Sequence, residues 1–410
     1  MSDRALLERL YAAAVEAADP DRAVKSAMRD HPVPETAGAL TVIAFGKAAP
    51  AMMRAALACL PTPRAALVVT HHENSTTLPG VETIRAGHPV PDEHGLRAGQ
   101  RIMELLAETG PGDRVVVLVS GGGSALVPAP AGGLSLADKQ AVNRALLEAG
   151  LDITAMNLVR QQLSELKGGG LLRHAAPASV HAYILSDVIG DDLRAIASGP
   201  TASPLGTRAE AKALLEVADA WDKLPARVRD LLSAPDETVE MPEADNILVG
   251  SNRQSLAAMV EAAPEGIETR IVSDHLVGDV AEACAEIVAA AKTAPLPCLL
   301  IFGGETTVRI AGTGTGGRNQ ELALRIAFED LPGTWTFLSG GTDGRDGPTD
   351  AAGGIVDAGT LQRIRDAGQD PQALLANNDS HAALEAAGDL LRVPATGTNV
   401  ADVQALLIRA

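Results

Sequence analysis

Along the first half of the chain, short unbroken aliphatic runs alternate with stretches whose apolar residues recur every three or four positions. The runs at 40–45, 66–70, 114–120 and 180–185 are rich in Val, Ile and Leu, the pattern of strands buried on both faces of a parallel sheet. Between them lie amphipathic stretches at 93–106, which Asp92 caps after Pro91, and at 136–147. Ahead of the first strand, Asp3 is the predicted cap of a helix that places Leu6, Leu7, Leu10, Ala14 and Val15 on one face. A helical run at 156–166 leads into Lys167-Gly168-Gly169-Gly170, which reads as a helix carboxyl cap. Alternation of strand and helix predicts an α/β fold with a doubly wound, Rossmann-like parallel sheet.

Residues 233–245 break the pattern: they are acidic, contain two prolines and show no periodicity, as a surface linker does. The expected domains are therefore 1–235 and 246–410. The second begins with a strand at 246–249, a Gly250-Ser251-Asn252 turn and a helix from Gln254, followed by strands near 269–272, 299–302, 307–310 and 335–339. Residues 299–310, interrupted by Gly303-Gly304-Glu305, read as two adjacent strands joined by a glycine turn. The second domain is accordingly expected to be the smaller one and its sheet mixed.

Composition narrows the function classes. Aromatics are only 2% of the 410 residues, so the cores must be aliphatic and base stacking between rings is disfavoured. With 34 Lys and Arg against 52 Asp and Glu, the net charge of −18 argues against nucleic acid and anionic membrane as partners. Seven of the cations are Lys, which makes a lysine inside a glycine motif conspicuous. Cys59, Cys284 and Cys298 lack the number for a disulfide framework and the spacing for a metal site. Charges at Asp3, Arg4 and Glu8 interrupt the amino-terminal apolar stretch, and a cytoplasmic protein is expected.

Glycines gather just after the strands, where open α/β sheets bind ligands. Ser120-Gly121-Gly122-Gly123-Ser124 follows the strongest strand and can turn backbone N–H groups toward an anion. Gly46-Lys47 puts an ammonium at another strand end, and Lys167 offers a second lysine-glycine element. Asp187, after the strand at 180–185, can accept a hydroxyl proton or hold Mg²⁺. In the second half, Gly312-Thr313-Gly314-Thr315-Gly316-Gly317-Arg318 opens a helix expected at 322–329 and reads as a triphosphate cradle. It also spells the dinucleotide pattern Gly-x-Gly-x-x-Gly, but the acidic residue expected after the next strand is replaced by Ser339-Gly340-Gly341. Asp343, Asp346 and Asp350 share a glycine-rich loop that suits Mg²⁺-nucleotide better than a calcium site. No P-loop, serine-hydrolase elbow or His-Glu-x-x-His motif is present, and the nine histidines suggest no zinc site.

These residues together resemble the glycerate 2-kinases that join an amino-terminal glycerate kinase domain to a carboxyl-terminal MOFRL domain, some of which are labelled hydroxypyruvate reductase. The resemblance covers nearly the whole chain. It rests on Gly46-Lys47-Ala48-Ala49, Gly87-His88-Pro89-Val90-Pro91-Asp92, the serine-glycine loop at 120–124, Ser186-Asp187-Val188-Ile189-Gly190-Asp191 and Ser198-Gly199-Pro200-Thr201. In the second half it rests on Gly303-Gly304-Glu305-Thr306, Gly316-Gly317-Arg318-Asn319-Gln320-Glu321, Gly340-Gly341-Thr342-Asp343-Gly344 and Asn377-Asn378-Asp379-Ser380. His71-His72-Glu73 departs from the more basic, glycine-containing sequence frequent in relatives.

The resemblance implies transfer of the ATP γ-phosphoryl group to the 2-hydroxyl of D-glycerate, with Mg²⁺, by a monomer or homodimer whose site lies in an interdomain cleft. Carried onto this chain, it implies that Lys47 and Arg318 stabilise the transferring group and that Asp187 orients or deprotonates the hydroxyl. Ser120, Gly121, Gly122, Gly123, Ser124 and Lys167 would bind the substrate carboxylate or phosphate. Gly303, Gly304, Glu305, Gly316, Gly317, Asn319, Gly341 and Thr342 would bind nucleotide, with Asp343 and Glu305 serving the metal. The competing reading is an NAD(P)H-dependent hydroxypyruvate reductase, supported by the Gly312, Gly314, Gly317 spacing; a non-catalytic sugar-acid sensor would need a partner-binding segment that the sequence does not display.

Overall fold

A computed structural model describes residues 1–236 and 240–410. Part of the expected linker, residues 237–239, thus lies outside the described residues. Contacts divide the chain into two compact units. The first comprises Pro20–Ser186 and Asp191–Val249; the second comprises Met1–Asp19, Asp187–Gly190 and Gly250–Ala410.

In the first unit the continuous aliphatic runs do form strands. They are β1 (Leu40–Phe45), β2 (Ala65–His71), β3 (Glu82–Ala86), β4 (Arg114–Val119), β5 (Ser179–Leu185) and β6 (Ala244–Gly250). Their order, β3-β2-β1-β4-β5-β6, makes a parallel doubly wound sheet. Every residue of β1 is buried, as continuous apolar sequence demands. The edge strand β3 escapes the sequence pattern because Glu82 and Arg85 make it polar and it is half-exposed. The helix Glu93–Ala107 is capped by Asp92, whose side chain accepts from the Gly95 amide, and Leu136–Glu148 starts with a Ser135/Asp138 capping box. The helix Ile153–Gln162 stops before Lys167. Lys167 therefore does not cap that helix; it lies in a turn whose Gly168 and Gly169 adopt positive φ of 54° and 76°.

The second unit holds β7 (Glu268–Asp279), β8 (Cys298–Thr307), β9 (Thr334–Gly341), β10 (Gly353–Asp357), β11 (Leu390–Leu391) and β12 (Asp402–Arg409). Their order is β11-β10-β9-β12-β8-β7. The sheet is mixed, because β7 runs parallel to β8 whereas β12 is antiparallel to both β8 and β9. The expected glycine turn at 303–304 is corrected: β8 passes straight through it. These glycines serve close approach instead. A Cβ on Gly304 would lie 2.0 Å from the Leu276 carbonyl oxygen of β7, and one on Gly303 would lie 2.1 Å from Asn252 Oδ1.

The first helix, Asp3–Ala17, is capped by Ser2 rather than by Asp3, and its buried residues are Leu6, Leu7, Leu10, Tyr11 and Ala14. That face joins the core formed by Ile301, Leu338, Ile355 and Val403 of the second sheet. Tyr11 donates to the Gly341 carbonyl at 2.6 Å, and Ser255 to the Ala14 carbonyl at 2.7 Å. An apolar stripe states that a helix must be covered but not which sheet covers it, so this helix belongs to the second unit although it precedes the first.

Candidate active site

β1 and β4 are neighbours, so the segments leaving their carboxyl ends meet. The Gly46 amide donates to Val69, and Gly46 has φ of 128°; a Cβ there would lie 2.1 Å from Ser120 Oγ. Only glycine lets the two chain exits pass so closely. The Lys47 amide then donates to the Gly121 carbonyl at 2.9 Å, and the Ala48 amide to Ser120 Oγ at 3.1 Å. Ser120 is therefore buried and ties the two loops together. Gly122, at φ of 82°, faces Lys47 and His88: a Cβ on it would stand 3.0 Å from the His88 ring and 3.3 Å from Lys47 Cγ.

Beside this loop opens a cavity of about 590 Å³ lined by Lys139, Arg144, Arg160, Lys167, His88 and Ser124, with no carboxylate among the described residues that line it. A polar chain anchors it. Lys167 Nζ donates to Ser124 Oγ at 2.6 Å, Ser124 lies 3.0 Å from Ser198 Oγ, and Ser198 donates to Asn157 Oδ1 at 3.0 Å. Because Ser198 gives its proton to Asn157, Ser124 must give its own to Ser198 and accept from Lys167. Lys139 Nζ donates to the Leu163 carbonyl at 3.0 Å, and Arg160 pairs with Asn143.

Cations this close without a counter-charge lose proton affinity. Burial, then Lys139 and Arg160, hold the Lys167 ammonium well below the usual lysine range. Burial and Arg160 push Lys139 down to about 8. Burial and Lys47 push His88 down to about 4, which leaves its imidazole neutral at pH 7. An incoming anion supplies the missing counter-charge. Its affinity is expected to fall with rising pH as Lys167 and Lys139 deprotonate, with the Lys139 step near 8. Calorimetric titration with inorganic sulfate, whose charge is constant over this range, at several pH values checks this; an affinity unchanged up to roughly pH 9.5 refutes it.

In the second unit Arg318 opens the helix Arg318–Ala327. Its Nε and Nη2 grip Asp402 at 2.6 and 3.0 Å, while Nη1 reaches Glu305 at 2.9 Å. Asp402 is fully buried, whereas Glu305 is exposed. Burial opposes the Arg318 charge, but Asp402 outweighs it and fixes the guanidinium in its charged form. The amides of Asn319 and Gln320 at the same helix end donate to Asp346 at 3.1 and 2.8 Å. Burial pushes the Asp346 carboxyl up to about 6 despite these bonds. The glycine loop before the helix is likewise filled from within: Asn378 accepts from Ala311 and Gly312, Asn377 from Thr313 and Gly314, and Asp379 from Thr315. Its glycines admit this neighbour, since a Cβ on Gly316 would lie 2.1 Å from Ser380 Oγ and one on Gly317 2.3 Å from Asp346.

Residues 6–233 match the family described as a domain of unknown function, DUF4147, and residues 298–402 match the MOFRL family. The chain is 38% identical to a glycerate 2-kinase of Pyrococcus horikoshii, covering 96% of this chain and 94% of that protein. It is 39% identical to a D-glycerate 2-kinase of Thermotoga maritima (95% and 94%) and 40% identical to a putative hydroxypyruvate reductase of Agrobacterium vitis (100% and 95%). Among solved structures, a glycerate kinase of Thermotoga maritima superposes with a TM-score of 0.90 at 37% identity, covering 98% of each chain. The chain belongs to the glycerate 2-kinase family.

Within this family member the residues singled out in the sequence fall into three groups. Lys47, Ser120, Gly121, Gly122, Gly123, Ser124 and Lys167 come together in the first unit. In the second, Arg318 meets Glu305, and Asn319 is held by Asp346 and by Ser339, which donates to its Oδ1 at 2.6 Å. Gly303, Gly304, Gly316 and Gly317 are packing glycines, the Gly341 amide donates to Ala352, and the Thr342 hydroxyl donates to Ala401. Asp343 accepts from the Arg345 amide. Asp187 stands half-buried immediately beyond β5, in the segment grouped with the second unit. Lys139, Arg144, Arg160 and Asp402 are the polar residues that sequence reading missed, and Asp346, read there as part of a Mg²⁺-nucleotide loop, is engaged by the Asn319 and Gln320 amides. Lys139 alone carried a hint, as one of only seven lysines.

Proposed function

We propose that the protein transfers the γ-phosphoryl group of ATP to the 2-hydroxyl of D-glycerate, releasing ADP and 2-phosphoglycerate. The bond from the γ-phosphorus to the β–γ bridging oxygen breaks, a bond to the glycerate oxygen forms, and the hydroxyl proton passes to Asp187. The observation that carries this reading is the cavity of the first unit, where Lys139, Arg144, Arg160 and Lys167 converge with no carboxylate among the described lining residues, in a chain of net charge −18. Such a pocket takes a small anion. Lys167 and Ser124 bind the glycerate carboxylate, and Lys47 stands at the mouth of the loop to neutralise charge on the transferring group. Arg318 presents Nη1 to nucleotide phosphate, since Asp402 fixes the guanidinium plane and the exposed Glu305 contact is easily exchanged.

Mg²⁺ enters with ATP as the Mg-nucleotide substrate, keeping waters of its own. Glu305 and Asp343 do not make a ready metal cage: Glu305 is paired with Arg318, and neither is in a cluster of three potential metal-ligating side chains among the described residues. Adenine is held by aliphatic and backbone contacts, given the scarcity of aromatics.

The test mixes purified protein with D-glycerate and Mg-ATP, then with hydroxypyruvate and NADH. ADP and a product consumed directly by enolase are expected in the first mixture, and no NADH oxidation in the second. The reverse pair of results overturns the reading.

A further inference from the structure

The only group of three potential metal ligands among the described residues lies on the first unit, outside the cavity just described. His72 follows β2, Asp92 caps the helix Glu93–Ala107, and His94 lies in the first turn of that helix. The two oxygens of Asp92 have separate roles. Oδ1 accepts from the Gly95 amide at 2.9 Å, and Oδ2 faces both imidazoles, 2.7 Å from His72 Nε2 and 3.5 Å from His94 Nδ1. The Gly87 amide also donates to this carboxylate, so its orientation is set by the backbone before any ligand arrives. The rings of His72 and His94 stand edge to face, with centroids 5.3 Å apart.

Two ligand atoms about 2 Å from a tetrahedral ion are separated by roughly 3.3 Å. The two Oδ2–nitrogen distances bracket that value, and all three donor atoms lie within 4.8 Å of one another. Of the arginines that share a groove with His72 and His94, Arg101 is neutralised by Glu82 and Glu104, while Arg85, bonded to the Asn74 and Thr76 carbonyls, and Arg97 keep their charge and set an electrostatic cost that the three ligands must outweigh.

We propose that His72, Asp92 and His94 form a surface site for a late first-row divalent ion such as Zn²⁺, with the remaining coordination positions open to water. Two imidazoles and one carboxylate suit Zn²⁺, Co²⁺ or Ni²⁺ and not Mg²⁺, which prefers an all-oxygen shell. The ion bridges the end of β2 to the start of the helix at 93. It thereby holds the 88–91 segment, whose residues line the anion cavity and which Asp92 directly follows. This site is separate from the phosphoryl-transfer reading and stands or falls without it.

The test uses full-length protein without a histidine tag, stripped with chelator. Titration with Zn²⁺ against a chromophoric chelator is expected to show one equivalent bound, unaffected by millimolar Mg²⁺. Co²⁺ is expected to give visible d–d absorption characteristic of a site with nitrogen ligands. His72→Asn and His94→Asn should each weaken binding at least about tenfold and remove that absorption. Asp92→Asn, which retains a helix-capping oxygen, should weaken binding similarly without lowering Tm. An unchanged stoichiometry and affinity in the His72→Asn/His94→Asn double variant, or the absence of Co²⁺ absorption in the unaltered protein, overturns the assignment.

Discussion

Arg318→Ala is expected to destabilise the second unit by roughly 3–5 kcal/mol, because it strips the counter-charge from a buried carboxylate. Asp402 is fully buried and held by two of the three Arg318 contacts, and Asp346 raises the stakes as a second buried carboxyl in the same field. The loss should be smaller in mild acid. Asp346 is already pushed up to about 6, so its protonation in mild acid relieves part of the buried negative charge left without Arg318. Hydrogen exchange on the full chain checks this, with protection lost along β12 and kept along β4, and with a smaller loss near pH 5.5 than near pH 8. Equal loss at both values would show that packing, not charge, carries the effect. The companion variant Arg318→Ala/Asp402→Asn should recover much of the stability, since it removes the unpaired charge.

Lys47→Ala should do the opposite, sparing the fold and suppressing turnover. The bonds that hold residue 47 in place come from its backbone, through the amide to Gly121, and persist with alanine. By comparison with other cations acting on transferring phosphoryl groups, kcat for D-glycerate and Mg-ATP is expected to fall by roughly 10²–10⁵-fold. Loss of Lys47 should also let the His88 pKa rise from about 4, since burial and then Lys47 hold it down. An NMR titration reads that shift independently of activity. Unaltered turnover in a variant with the expected His88 shift would remove Lys47 from the chemistry while confirming its location.

Much of the first unit was legible because one signal determined two levels of structure. The same Val-rich run that makes β4 a buried strand ends at Ser120-Gly121-Gly122, so strand and loop are read together. At Gly303-Gly304 one residue type had two possible uses, a turn or a close approach, and only the Leu276 carbonyl beside it decides. Lys139 and Arg160 occupy helix positions that look solvated in sequence and become cavity walls through packing. Asp402 was illegible for a related reason: its partner lies 84 positions away. The glycine loop at 312–317 advertised an anion cradle, but its amides are satisfied by Asn377, Asn378 and Asp379, which no local spacing reveals. His72, Asp92 and His94 likewise meet across a strand end and a helix start, outside any contiguous metal motif.

The placement of the helix Asp3–Ala17 constrains the order of events during synthesis. It is made before either sheet, yet its apolar face is covered by elements made much later, the helix Asn252–Glu261 and strands of the second sheet; the Tyr11 bond to Gly341 alone spans 330 residues. The first sheet, drawn from an almost continuous stretch, can close while translation continues. Until the helix Asn252–Glu261 and then the strands of the second sheet emerge, Leu6, Leu7, Leu10 and Tyr11 lack the cover they have in the folded chain. The nascent chain therefore carries an uncovered amphipathic helix through much of its elongation, a natural point of engagement for a chaperone.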